Sequence, residues 1–192
     1  MPVTKLDAAQ RLINAAVRII FDGGDCIPAY LLAASAREIA TTLCELQGKK
    51  SFFDEAREVL PHIPKQQMYR EAMRHVGFLK HANRDPNGTL DGFADKDADM
   101  ALFVATYDFG SVCTGKSVEA QVFEGWFLSL YGEPEDIPTG LDELFPRLRQ
   151  RPRFDQVALG GTVLRWAKAQ PGFKMNYSLE FRRSHEGAGQ RG

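Results

Sequence analysis

Apolar residues recur at three- and four-residue steps along most of the first 170 residues of this chain. That period is the mark of helices that bury one face and wet the other, and it leaves little room for a sheet. Leu6, Ala9, Ile13, Ala16 and Ile20 set the first stripe, behind a Thr4 and Asp7 pair suited to a capping box. The run Asp22-Gly23-Gly24-Asp25 breaks that helix, and Pro28 suits the first turn of the next. The second stripe is Leu32, Ala36, Ile39, Leu43 and Leu46. Ala29, Ala33 and Ala40 add a thin face that lets another helix come close.

Ser51 and Pro61 bound a short third helix, and Pro64 opens a fourth that carries Met68, Ala72, His75, Val76 and Leu79 inward. A fifth runs from Asp95 to about Thr114, with Ala98, Leu102, Ala105, Phe109 and Val112 inward. The sixth starts at Ser117 and is apolar on most sides through Val122, Phe123, Trp126, Phe127 and Leu130, as expected of the central helix. Thr139 and Asp142 are placed to cap a seventh. An eighth, about Phe154 to Ala169, holds Gly160-Gly161, which weakens it by roughly 1 kcal/mol per glycine and predicts a kink or split.

Beyond the helices, Phe173 to Phe181 alternates apolar and polar residues, the period of a strand. No second strand of that quality is visible. The expected fold is therefore all-α: a compact bundle of seven to eight mostly antiparallel helices over residues 1–170, with 171–183 an extended arm or strand and 184–192 a disordered tail. The arm would pack on its own helices or exchange between two copies in a self-associating protein.

Charge narrows the function classes. Basic and acidic residues number 24 and 25, so the chain has no general attraction to nucleic acid or to an anionic membrane. The one local basic run is Arg147, Arg149, Arg151 and Arg153. Cys26, Cys44 and Cys113 are odd in number and widely spaced, which fits neither a disulfide framework nor a structural zinc site. No apolar run has the length of a signal peptide or a membrane span, so the expected setting is the cytoplasm.

The densest polar stretch is Lys80-His81-Ala82-Asn83-Arg84-Asp85, followed by Pro86-Asn87-Gly88. Helix physics accounts for most of it. Basic groups suit the negative end of a helix dipole. Pro86 disfavours helix at Asp85, and Asp-Pro-Asn-Gly fits a type I turn. The density still makes Lys80, His81, Arg84 and Asp85 the candidate anion-binding residues, with Lys80 and Arg84 expected on one helical face.

The segment Phe78 to Pro86, with the alanine-rich Tyr30 to Ile39, resembles an uncharacterised bacterial group of helical proteins. Asn83 stands where that group tends to carry aspartate. The resemblance implies an all-helical fold and no particular activity. A second one concerns HEPN-type ribonucleases, helical bundles in which a histidine follows an arginine by a few residues. Arg57 and His62, Arg70 and His75, and Arg74 and His81 all fit that spacing. Only Arg74 and His81 would also share a helical face, so that resemblance implies His81 as acid or base and Arg74 on the phosphate. His75, on the apolar stripe, reads as a hydrogen-bonded core residue.

Metal chemistry finds little. His81 and Asp85, joined by Glu119 or Glu124, would be the best ligand set, but Pro86 spoils the geometry at Asp85. Asp95-Lys96-Asp97-Ala98-Asp99 mimics the start of a calcium loop and then departs from it, so those acids read as first-turn residues of the fifth helix. No cofactor motif is present, and none is expected. Two functional expectations result: a homo-oligomeric binding or interaction module, or a hydrolase or ribonuclease-like enzyme acting on an anionic substrate through Lys80, His81 and Arg84.

Overall fold

The computed structural model describes residues 2–81, 83–134 and 137–175. Every regular element in them is helical: α1 (Lys5–Phe21), α2 (Cys26–Leu46), α3 (Phe52–Val59), α4 (Lys65–Ala72), α5 (Val76–Lys80), α6 (Asp95–Val112), α7 (Val118–Tyr131), α8 (Leu141–Leu144) and α9 (Arg153–Lys168), with a short 3-10 turn at Leu148–Gln150 before α9. The fold is all-α.

Local signals set several of the ends. Thr4 and Asp7 form the capping box of α1, with Asp7 accepting from the Thr4 amide at 3.0 Å. Asp25 caps α2 through the Ile27 amide at 2.9 Å, and Ser117 caps α7 through Ala120. At α8 the expected Thr139 cap is absent. The helix starts instead from Gly140, whose φ of 92° only glycine adopts without strain.

The alanine face of α2 is its buried seam. Ala29, Ala33, Ala36 and Ala40 are wholly covered, while Leu46 of the expected leucine stripe is 78% exposed. Small side chains let α2 lie close to α1 on one side and α6 on the other, and these are the most extensive helix pairs in the fold. Joined by the short turn at 22–25 and packed along their lengths, α1 and α2 run antiparallel. By contrast α2 and α6 run parallel: Cys26 lies beside Asp95 at their starts, and Thr41 and Cys44 bond Asp108 near their ends. The long connection that carries α3, α4 and α5 makes this pairing possible.

The sequence points to the Ser117 helix as the axis. The structure gives that place to α6, in which every residue from Ala98 to Phe109 except Met100 is buried. Apolar periodicity misses this because α6 buries acids as well. Asp99 is fully buried, bound by both Arg153 nitrogens at 2.7 and 2.9 Å and by the Tyr131 hydroxyl at 2.7 Å. Asp108 is equally buried and accepts from Thr41 and, at 2.6 Å, from the Phe52 amide.

The basic run is also a fold element. Arg149 bonds the carbonyls of Ser129 and Gly132, Arg151 bonds that of Pro146, and Arg153 holds Asp95 and Asp99. Three of its four guanidiniums are therefore engaged within the chain, leaving little of a patch for an acidic partner. Phe173 of the expected arm meets Trp166 at 5.7 Å, and residues 173–175 form no strand. Residues 176–192, which hold most of the arm and all of the tail, lie outside the described residues.

Helix α9 runs continuously through Gly160-Gly161, so the expected split does not occur. The glycines are there for packing. A Cβ at Gly160 would overlap the Phe21 ring, and one at Gly161 would sit 3.0 Å from the Phe21 carbonyl oxygen. Phe21 in turn packs on Phe123 and Trp126, so it has no room to retreat. Gly160→Ala should therefore destabilise the protein by about 1–3 kcal/mol despite the better helix former, read as a lower urea midpoint at unchanged slope.

Candidate functional site

The polar stretch ends a helix as its chemistry requires. Helix α5 stops at Lys80, and His81 caps it with φ −130° and ψ 67°, its amide bonding the Gly77 carbonyl. The Gly88 amide closes the following turn on the Asp85 carbonyl at 3.3 Å, and a Cβ at Gly88 would overlap the Asp85 carboxylate. Lys80, His81, Arg84 and Asp85 are all exposed. The common helical face expected of Lys80 and Arg84 does not exist, because the helix ends before Arg84.

Nor do Arg74 and His81 share a face. The expected fourth helix is divided into α4 and α5 by a break at Met73–His75. On one unbroken helix adjacent residues point about 100° apart. Here Arg74 and its neighbour His75 both turn to Asp97, at 3.0 and 3.6 Å. Arg74 also bonds the Gly92 carbonyl and donates to His75 Nε2 at 2.9 Å. His75 is buried against Tyr30 and Phe93, so the core reading of this histidine holds. Glu119 and Glu124, the other candidate ligands, are engaged elsewhere: Glu119 with Arg18 and Lys168, Glu124 with Lys116. Among the described residues no cluster of three or more His, Cys, Asp or Glu side chains could hold a metal ion.

What the structure does bring together is an apolar pocket of about 560 Å³ between α3, α4 and the start of α6. Phe52, Phe53, Ala56, Leu60, Met68 and Met100 form its walls. Glu71, Arg74, Lys96 and Asp97 stand at its polar edge, two acids against two bases. The pocket exists because α3 and α4 are amphipathic but barely buried. Helix α3 buries only Phe53 and Ala56, and α4 buries no residue at all.

Polar bonds around the margin hold this two-helix cap. The Phe52 amide is tied to Asp108, and the Tyr107 hydroxyl donates to Glu55 at 2.6 Å. Arg37 of α2, 4% exposed, donates to the Tyr69 hydroxyl at 2.8 Å and lies over that ring at 4.5 Å. Its Nε is the one buried side-chain polar atom without a partner among the described residues. Lys65 bridges Asp54 at 2.7 Å and Glu45 at 3.8 Å. Burial opposes ionisation of Asp54, but hydrogen bonds from Lys65 and Ser51 outweigh it and hold the carboxyl down at about 2.

Sequence reasoning reached Arg74, which edges the pocket, but missed the pocket itself. The available signal was Phe52 and Met68, apolar residues on helices too short to bury them fully. No family model, no curated protein and no solved structure matches this chain. Among the described residues no helix is long and apolar enough to cross a membrane.

Asp54 has a lowered value in the folded state, so its contribution is complete above the ordinary carboxylate range and fades as pH falls from about 4 toward 2. Lys65→Met should accordingly cost about 0.5–1 kcal/mol at pH 7, the modest figure reflecting solvent screening of this half-exposed pair. The urea stability curves of variant and parent should converge as pH approaches 2, where Asp54 takes up its proton. His81→Ala, at an exposed cap, should shift stability by less than about 0.5 kcal/mol in the same assay.

Proposed function

We propose that the protein is a non-catalytic binding module whose pocket under α3 and α4 receives a small, uncharged, largely apolar molecule. The observation that carries this reading is an apolar recess of about 560 Å³ left open in a chain whose remaining helices close over a continuous core. That volume is in the range of small-molecule sites, and an unfilled apolar space forfeits contacts that an occupant restores. Two acids and two bases at the edge leave no net charge for a charged ligand to answer. A cap anchored at its margins gives such a molecule a way in.

The cytoplasm is the setting that suits this reading. All three thiols are free, and burial pushes those of Cys26 and Cys44 up to about 11, which makes them poor nucleophiles.

Fluorescence titration with N-phenyl-1-naphthylamine, a neutral apolar probe, tests the pocket. Saturable binding of about one probe per chain is expected, with a mid-micromolar or tighter Kd. Ala56→Phe, which fills the recess from the α3 side, should abolish it while circular dichroism and the thermal midpoint stay near those of the parent. Binding that survives the filled pocket, or never saturates, sinks the reading.

A further inference from the structure

A second recess, about 460 Å³ in volume, lies between the C-terminal half of α6, the N-terminal half of α7 and residues 174–175. Tyr107 lines it and separates it from the apolar pocket, its ring meeting Phe52 at 5.5 Å. This recess is built differently. At its base the Lys116 ammonium is bonded to Glu124, a carboxylate only 2% exposed. Gly110 makes that pairing possible: a Cβ there would overlap the Lys116 side chain.

The outer wall is the strand of chain that follows α9. Gln121 holds it by accepting from the Met175 amide at 2.8 Å, while its own amide nitrogen donates to the Lys116 carbonyl at 2.9 Å. Gly125 admits the Met175 side chain, since a Cβ would stand 2.8 Å from Met175 Cε. Phe173 is docked on Trp166. Residue 174 is thus fixed between two anchors, and Lys174 lines the recess opposite α6.

The donor balance decides the ligand class. Two ammonium groups face one carboxylate, and each ammonium has three donors. Lys116 gives one to Glu124, and Lys174 has no bonded partner among the described residues. Ser111 and Thr114 add hydroxyls. Among the described residues this lining carries one more ammonium than carboxylate, so it complements a small molecule that supplies negative oxygen. We propose that this recess binds a small organic anion, through a carboxylate or phosphate group engaged by Lys116 and Lys174.

The test is titration of the full chain with citrate and with inorganic phosphate, followed by amide ¹⁵N NMR, against sodium chloride at matched ionic strength. Saturable shifts are expected at Gly110, Gly115 and Lys116 with either anion and not with chloride. Lys174→Met should weaken binding about tenfold, while Lys174→Arg keeps it within about threefold. Lys174 is exposed and bonded to no described residue, so these variants are expected to fold as the parent does. Equal affinity in Lys174→Met overturns the proposal, as do shifts that chloride reproduces. Saturable shifts at Lys80, His81 and Arg84 instead would overturn it too, and would put the anion site at the end of α5. None of these outcomes touches the neutral-probe result, so the two pockets stand or fall separately.

Discussion

Three acids on α6 organise the molecule. Each sits on the helix at the centre of the fold and is satisfied by groups from distant parts of the chain. Asp97 gathers Arg74, His75 and the Ala94 amide; Asp99 gathers Arg153 and Tyr131; Asp108 gathers Thr41 and the Phe52 amide. Carboxylates buried without such partners would be costly enough to forbid the arrangement. The apolar seams hold the helices together, but these acids set which residues meet. They fix the break before α5, the tie of Arg153 at the start of α9 to α6, and the start of α3.

Both recesses are by-products of those anchors. The Phe52 amide is held on Asp108, which suspends α3 beside α6 without pressing its apolar side closed. Tyr107, one residue before Asp108, is tied to Glu55 and forms the partition between a neutral apolar space and a cationic polar one. The aromatic row Phe52, Phe103, Tyr107 and Phe127 runs along this partition, with Phe103 and Phe127 stacked at 4.1 Å. A single wall thus separates a largely apolar recess from one of mixed lining that holds two lysines and a carboxylate.

How much of this could be read from the residues follows from the range of the forces involved. The Thr4–Asp7 box, the Asp25 and Ser117 caps and the Asp85–Gly88 turn act over a few residues, and they were legible. The buried alanine seam of α2 was legible too, because small side chains at helical spacing have few other uses. The break at Met73–His75 was not, since its cause is Asp97, more than twenty residues downstream. The structural role of the arginine run was hidden for the same reason: its acceptors are the carbonyls of Ser129 and Gly132 and the acids of α6. Gly160-Gly161 reads as a weakness until Phe21 is seen against it. The polar recess left one trace in the sequence, Glu124 within an apolar helix. Its partner Lys116 and the wall at Lys174 come together only through folding.

The parallel course of α2 and α6 has a consequence for motion. Two parallel neighbours need a long return segment, and here that segment is α3, α4 and α5, which carry the cap of the apolar pocket. The α1–α2 and α2–α6 seams form the bulk of the core, and α4 adds to it only the partly buried Ala72. Opening of the return segment breaks its bonds to Asp97 and Asp108 and the packing of Phe53, Ala56 and Met73, but leaves the α1–α2 and α2–α6 seams in place, so it costs less than global unfolding. The return segment is thus the part of the chain that can come away while the two longest helix seams stay closed.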